Sequence, residues 1–174
     1  FLLIGAVLTT HFQSSSATVA LTLVICSKGW IGYEDAAAMI MGENIGTTIT
    51  ANLAAAVANV QAKRAALAHF IINVFGVIWL FAIFTPFLHF IGDLSVALHL
   101  SRYNPIYSNP HLLNEAFSPE ARAGVLASIN AAMPLVLSLF NTLAKGINVT
   151  ILIWFTKLLA KIVSRLIPPK AGED

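Results

Sequence analysis

Two short polar segments lie inside apolar runs of this sequence, and both carry side chains that suit ion binding. The first is Gln13-Ser14-Ser15-Ser16, and the second runs from Gly42 to Thr50 as Gly-Glu-Asn-Ile-Gly-Thr-Thr-Ile-Thr. Hydroxyl and carbonyl oxygens suit a hard cation such as Na⁺, whereas the free N–H groups of a helix N-terminus suit an anion. Glu43 is ionisable, and such a residue at membrane depth is a functional candidate. The residues leave open whether it faces a cation, stays protonated or braces the helix.

The surroundings of these segments have the composition of a membrane protein. Hydrophobic residues make up 57% of the 174 residues, charged residues make up 10%, and the mean hydropathy is +0.80. A soluble domain carries about 25% charged residues, so we predict an all-α polytopic membrane protein. The chain starts at Phe1 within an apolar stretch, without an initiator Met or a basic signal region. We therefore expect a piece of a longer protein.

The first polar segment divides residues 1–27 into two apolar arms. Neither arm reaches the roughly 20 residues that a membrane crossing needs, which predicts a re-entrant hairpin with the serines at its tip and capping the second arm. The alternative is one continuous helix over 1–27, with the serines bonded to their own turn. The second segment predicts a break at Gly42 to Gly46 in a transmembrane helix over 33–60. Residues 1–88, completed by a transmembrane helix over 64–88, would form one transport repeat.

The remaining residues divide into three further segments. Residues 89–132 predict an extramembrane loop with short helices, one of which begins at Ser118-Pro119-Glu120. Residues 133–155 predict a transmembrane helix, and residues 156–174 predict an amphipathic interfacial helix followed by a linker. The distribution of Lys and Arg places the C-terminus in the cytoplasm. His69 and Asn73 share a helix face, where we expect a hydrogen bond between helices and not a ligand site.

The sequence does not favour an enzyme. It contains no Ser–His–Asp candidate set, no cluster with metal-ligand spacing and no nucleotide-binding glycine loop. Ser15 has no neighbouring base, so we interpret it as a ligand-binding hydroxyl and not as a nucleophile. We expect no cofactor.

The residues of the two polar segments resemble those of a known family. Gln13 to Thr18 and Gly42 to Asn52 are similar to the paired signatures of the type II sodium-dependent phosphate cotransporters, and most similar to the bacterial branch. The resemblance covers residues 5–90 well, and the last crossing and its tail more loosely. It implies a transporter built from two inverted repeats, each with a re-entrant hairpin and a broken helix, and this chain looks like the second repeat.

The resemblance also implies a set of substrate- and sodium-binding residues. This set is Gln13, Ser14, Ser15, Ser16, Thr18, Glu43, Asn44, Gly46, Thr47 and Thr48. Sodium, the coupling ion, would be bound through Gln13, Ser15, Ser16, Asn44 and Thr47. The last crossing departs from the family, because Asn141 and Lys145 stand where His and Asn are expected.

The expected function is sodium-coupled secondary transport of inorganic phosphate by alternating access. The expected location is the plasma (inner) membrane, and the expected partners are phosphate, Na⁺, the lipid bilayer and the other repeat, on the same polypeptide or a second copy. A further expected partner is a cytoplasmic helical regulatory domain. We do not expect the protein to bind nucleic acid. Two alternatives stay open: a carrier for another anion such as a dicarboxylate, and a membrane-embedded anion sensor that does not transport.

Overall fold

A computed structural model describes residues 1–169, and these residues are almost entirely helical. The helices are α1 Leu2–Phe12, α2 Ser15–Ser27, α3 Tyr33–Ala55, α4 Val60–Ala82, α5 Phe84–Ala97, α6 Pro110–Ala116, α7 Pro119–Leu152 and α8 Thr156–Leu166. Short 3-10 helices cover Pro105–Ser108 and Ile153–Phe155. Residues 1–169 contain no strand, which confirms the all-α prediction. The predicted linker from Lys170 onward lies outside the described residues.

The first polar segment separates α1 from α2. Gln13 adopts the left-handed conformation with φ +54°, and its N–H donates to the carbonyl of Thr9. Ser14 is extended, and its hydroxyl accepts a hydrogen bond from the N–H of Ala17 at 3.3 Å. The predicted pair of short helices with a serine cap is therefore confirmed, and the alternative of one continuous helix is wrong. Re-entry of this hairpin into a membrane stays a prediction.

The break predicted at Gly42 to Gly46 is wrong, because α3 is continuous from Tyr33 to Ala55. The glycines instead allow α1 to approach α3 closely. A Cβ atom on Gly42 would lie 1.8 Å from the carbonyl oxygen of Leu2, and one on Gly46 would lie 2.5 Å from that of Ala6. Two glycines spaced four apart thus form a flat helix face, as is common where membrane helices pack closely.

The core lies between α3, α5 and α7. Tyr33 and Ile40 of α3, Leu88 and Ile91 of α5, and Phe140 of α7 are almost fully buried there. Burial of such side chains provides most of the free energy that holds packed helices together in water, and close packing does so in a membrane. The core fixes the position of α7 relative to α3, which matters for the site described below.

The predicted helix over 64–88 is instead two helices. α4 ends at Ala82, and Ile83, with φ −118° and ψ 26°, turns the chain into α5. Pro86 lies in the first turn of α5, where its missing N–H leaves no hydrogen bond unmade. The proline therefore favours a new helix near this point and not the continuation of α4.

The predicted start of a helix at Ser118-Pro119 is confirmed, but the helix does not end before residue 133. α7 runs for 34 residues from Pro119 to Leu152 and includes Pro134 in its interior. A proline removes one backbone hydrogen bond from a helix, and the buried neighbours Met133, Val136 and Leu137 hold α7 together across it. The predicted helix over 133–155 is thus the second part of a longer one.

Within residues 1–169, two helical stretches are long and apolar enough to cross a membrane. They are Val60–Ala82, with 23 residues, and Pro119–Leu166, with 48 residues. These stretches are consistent with a membrane protein. The number of crossings, the side of each terminus and the extramembrane position of residues 89–132 stay predictions.

Candidate functional site

A cavity of about 760 Å³ lies between α2, α3, α4 and α7. Two-thirds of the side chains that line it are polar, and they come from all of these helices. They are Ser15, Ser16, Glu43, Asn44, Thr47, His69, Asn73, Asn141, Lys145 and Asn148. The fold therefore brings the two polar segments of the sequence to one cavity.

The hairpin contributes the N-terminal end of α2 to this cavity. Ser15 and Ser16 are the first residues of the helix after its cap, Ser14. The backbone N–H groups of a first helical turn have no partners within the helix. Together with the serine hydroxyls, they give this side of the cavity hydrogen-bond donors and a partial positive charge.

The second polar segment contributes one face of α3. Glu43, Asn44 and Thr47 are adjacent on the helix surface and line the cavity. The hydroxyl of Thr47 donates to the carbonyl of Glu43 at 2.8 Å, within the same helix. Its oxygen still has a lone pair for a cation, as does the amide oxygen of Asn44.

Glu43 is buried, with 1% of its surface exposed. Its Oε1 atom accepts a hydrogen bond of 2.6 Å from the hydroxyl of Thr22 on α2. Its Oε2 atom has no hydrogen-bond partner among the described residues. A buried carboxylate oxygen without a partner is costly, so this atom is a candidate ligand for a cation.

The polar face of α7 is one part of the site that the sequence analysis missed. The cavity is lined from this helix by Asn141, Lys145 and Asn148. Their spacing of four and three residues within an apolar helix is the sequence pattern that could have identified this polar face. Asn148 joins α4 to α7, because it accepts from the indole N–H of Trp79 at 3.2 Å and donates to the carbonyl of Ile72 at 3.0 Å. The buried Oδ1 atom of Asn141 has no hydrogen-bond partner among residues 1–169.

His69 and Asn73 also line the cavity, from α4. The expected hydrogen bond between helices is wrong in the described structure, because the Asn73 amide donates to the carbonyl of His69 in its own helix, at 3.0 Å. The carbonyl of residue i−4 is the nearest acceptor for an asparagine on a helix, and it satisfies this amide without a second helix.

Half of the residues that the family resemblance implies do not line the cavity: Gln13, Ser14, Thr18, Gly46 and Thr48. The hydroxyl of Thr18 lies 2.9 Å from that of Thr9, and the hydroxyl of Thr48 donates to the carbonyl of Ile45 at 2.7 Å. Gly46 packs against α1. Their proposed contacts with substrate or sodium stay predictions.

Comparison with known protein families matches the part of the chain that carries both polar segments. The family model described as Na⁺/Pi-cotransporter matches residues 2–100, which include the hairpin and the polar face of α3. The cavity residues of α7 lie outside the matched range. No solved structure matches the chain.

Three curated relatives illustrate the similarity. The uncharacterized protein YqeW of Bacillus subtilis is 39% identical over 94 residues, which cover 54% of this chain and 31% of the relative. Sodium-dependent phosphate transport protein 2C of Rattus norvegicus is 40% identical over 81 residues, or 44% of this chain and 14% of the relative. The "Putative inorganic phosphate export protein YjbB" of Escherichia coli K12 is 31% identical over 100 residues, or 58% of this chain and 18% of the relative. The chain thus spans less than a third of the length of each.

Proposed function

Because the chain belongs to the Na⁺/Pi-cotransporter family, we propose that it is one repeat of a carrier that couples sodium to the transport of inorganic phosphate. The carrier would work by alternating access, and the second repeat would come from the same polypeptide or from a second copy. Two relatives with names that specify phosphate transport or export support this substrate. Since one of them is named for export, the proposal does not fix the direction of flux.

The observation that carries the proposal is the shared cavity of the two polar segments. Ser15 and Ser16 bring donors to it, whereas Glu43, Asn44 and Thr47 bring oxygen ligands. An anion and a cation that bind next to each other there would each lower the electrostatic cost of binding the other. This mutual stabilisation is the physical basis of sodium coupling.

In this proposal phosphate binds at the N-terminal end of α2. Sodium binds to oxygen atoms of Ser15, Ser16, Asn44 and Thr47, with Gln13 contributing from the hairpin tip. Four of these five residues line the cavity. Glu43 would complete the cation site with its Oε2 atom, which has no hydrogen-bond partner among residues 1–169.

The outer surface of the helices supports a setting in a membrane and against a second repeat. Leu3 and Val7 of α1 are 76% and 66% exposed, and Ile78 and Phe81 of α4 are 63% and 70% exposed. Exposed apolar residues at this density indicate contact with lipid or with another protein surface. We propose that the protein lies in the plasma (inner) membrane, that α8 lies at its cytoplasmic surface, and that a cytoplasmic helical domain regulates it.

The test is radiolabelled phosphate uptake into proteoliposomes that contain the full-length protein, with and without a sodium gradient. We expect uptake that requires sodium and is lost in Ser15→Ala. The matched control is Ser138→Ala, since Ser138 is exposed, donates to the carbonyl of Pro134 in its own helix and does not line the cavity. Uptake that is indifferent to sodium would contradict the coupling.

Two further outcomes identify the alternatives. Saturable phosphate binding without uptake would indicate an anion sensor. If phosphate gives no response, uptake of radiolabelled succinate would indicate a dicarboxylate carrier. Either result would contradict the proposed transport of phosphate.

A further inference from the structure

Glu43 on α3 and Lys145 on α7 both line the cavity, and they carry opposite charges. Glu43 is the one acidic residue in the lining, Lys145 is the one lysine or arginine, and His69 is the remaining titratable group. The charges of Glu43 and Lys145 attract each other across this space. With both ionised, the charges of Glu43 and Lys145 cancel.

The two residues differ in how firmly the structure holds them. Glu43 is buried and is anchored by Thr22, whereas Lys145 is exposed within the cavity. Among the described residues, no carboxylate lies within 4.0 Å of the Lys145 ammonium. The ion pair found in residues 1–169 joins His111 and Glu115 instead. Lys145 is therefore a cation on a flexible stem without a bound carboxylate, and it shares the cavity with a carboxylate whose Oε2 atom has no hydrogen-bond partner among residues 1–169.

We propose, on the basis of the phosphate transport proposed above, that Lys145 exchanges partners during the cycle. In the loaded carrier its ammonium binds the phosphate. In the empty carrier it turns to the free oxygen of Glu43. Lys145 is thus a substrate-binding residue outside the matched family range, and Glu43 is its counter-ion in the absence of substrate.

This exchange would couple sodium to phosphate within one cavity. When phosphate draws Lys145 away, Oε2 of Glu43 loses its cation and becomes a ligand for Na⁺. When phosphate leaves, Lys145 returns and displaces Na⁺. The empty cavity is then neutral, so the unloaded carrier can reorient without moving an unpaired charge through the bilayer, which is costly.

The experiment compares two assays of the full-length protein in proteoliposomes at saturating sodium. Net phosphate uptake requires the empty carrier to return, whereas exchange of internal and external phosphate does not. Glu43→Gln keeps an oxygen that can accept from Thr22 but leaves Lys145 without a counter-ion. This variant also weakens the proposed sodium site, so exchange should fall too, and saturating sodium limits that loss. Because Lys145 is unpaired only in the empty carrier, we expect net uptake to fall about tenfold more than exchange.

Lys145→Gln should raise the phosphate KM about tenfold in both assays, because it removes a charged hydrogen-bond donor. It should also lower net uptake more than exchange, because Glu43 then has no counter-ion in the empty carrier. Lys145→Arg should retain most of the affinity for phosphate.

At saturating phosphate, the double variant Glu43→Gln/Lys145→Gln should recover net uptake relative to Glu43→Gln, because its empty cavity is again neutral. Lys28→Gln is the control for loss of one positive charge, since Lys28 is exposed at the opposite end of α2 from the cavity.

A second measurement uses Lys145 variants alone, so that it does not depend on the folding of Glu43→Gln. In the wild type, bound phosphate should lower the sodium KM, and in Lys145→Gln this effect should shrink. Equal losses of uptake and exchange in Glu43→Gln would overturn the inference, and so would a double variant worse than either single one. A wild type that transports no phosphate would instead overturn the proposed function itself.

Discussion

Thr22 on α2 donates a hydrogen bond of 2.6 Å to the buried carboxylate of Glu43 on α3. Thr22 is fully buried and Glu43 nearly so, which makes this the polar contact that fixes the hairpin against the helix that follows it. Because the same carboxylate lines the cavity, the bond also holds the candidate cation ligand in place. This one hydrogen bond therefore contributes both to stability and to the geometry of the site.

The first prediction is that Thr22→Val destabilises the protein. Valine keeps the shape of threonine but lacks the hydroxyl, so both oxygens of Glu43 would be buried without a partner among the described residues. Leaving a buried acceptor unpaired costs about 1–3 kcal/mol. The unfolding midpoint of the detergent-solubilised full-length protein should fall accordingly.

Two variants make this test specific. Thr22→Ser keeps the donor and should stay close to the wild type. Thr150→Val removes an exposed hydroxyl that donates only to the carbonyl of Gly146 in its own helix, and it should have little effect. A Thr22→Val protein as stable as the wild type would show that the hydrogen bond contributes nothing.

The second prediction concerns the close approach of α1 to α3. In Gly42→Ala the new methyl group would lie 1.8 Å from the carbonyl oxygen of Leu2, which is backbone and cannot rotate away. α1 would have to move, and overpacking of this kind costs about 1–3 kcal/mol or more. We expect a lower unfolding midpoint and a smaller yield of folded protein.

The matched control for this prediction is Gly146→Ala in α7. Among the described residues, no atom lies within 4 Å of the position that its Cβ would take, apart from its two chain neighbours and the nearby backbone of its own helix. Alanine is the better helix former by about 1 kcal/mol, so this variant should be slightly more stable than the wild type. If the two alanine variants shift the midpoint in the same direction, the packing role of Gly42 is wrong.

The hairpin and the glycine pair differ in how well the sequence predicts them. Local signals predicted the hairpin correctly, because a cap such as Ser14 acts within a few residues of its own helix. Gly42 and Gly46 led to the wrong prediction of a break in α3, since a glycine pair is compatible with both a helix break and a close helix contact. The choice depends on α1, which lies about 40 residues away in the sequence, and no local pattern contains that information.

The candidate site was predictable only in part for the same reason. Ser15, Ser16, Glu43, Asn44 and Thr47 could be found because each polar segment is continuous in sequence and stands out from apolar surroundings. Lys145 comes from α7, and the tertiary packing of α7 decides that it lines the same cavity. The helical spacing of its polar neighbours Asn141 and Asn148 can be read from the sequence, but the cavity that these residues line cannot.

The third prediction separates the backbone of Gln13 from its side chain. Gln13 has φ +54°, a conformation that costs a residue with a Cβ atom about 1 kcal/mol relative to glycine. Gln13→Gly should therefore raise stability by up to about 1 kcal/mol. If the Gln13 side chain contributes to the sodium site, the same variant should lose sodium-dependent phosphate uptake.

Gln13→Ala provides the comparison, because it removes the same side chain without relieving the backbone. Both variants should lose uptake, and only Gln13→Gly should gain stability, as measured by the unfolding midpoint. Full uptake in both would remove Gln13 from the set of proposed sodium ligands, whatever their stability.

The fourth prediction concerns α8, which presents three different faces. Val163 is buried, and with Leu159 it lines a groove shared with α4. Leu158, Ile162 and Leu166 form an exposed apolar stripe, and Lys157, Lys161 and Arg165 form a basic one. This combination is typical of a helix that lies on an anionic membrane surface.

A synthetic peptide of residues 151–169 tests this interpretation by circular dichroism. Isolated helices shorter than about 12–15 residues are marginal in water, so the peptide should be largely unfolded in buffer and become helical with vesicles that contain anionic lipid. Added salt should weaken this binding, because the attraction between basic side chains and lipid phosphates is screened. A peptide with glutamine at positions 157, 161 and 165 should bind the vesicles more weakly, because only its apolar contacts with the lipid remain. Equal, salt-independent binding of both peptides to anionic and zwitterionic vesicles would show that the basic stripe has no part in holding α8 at the membrane.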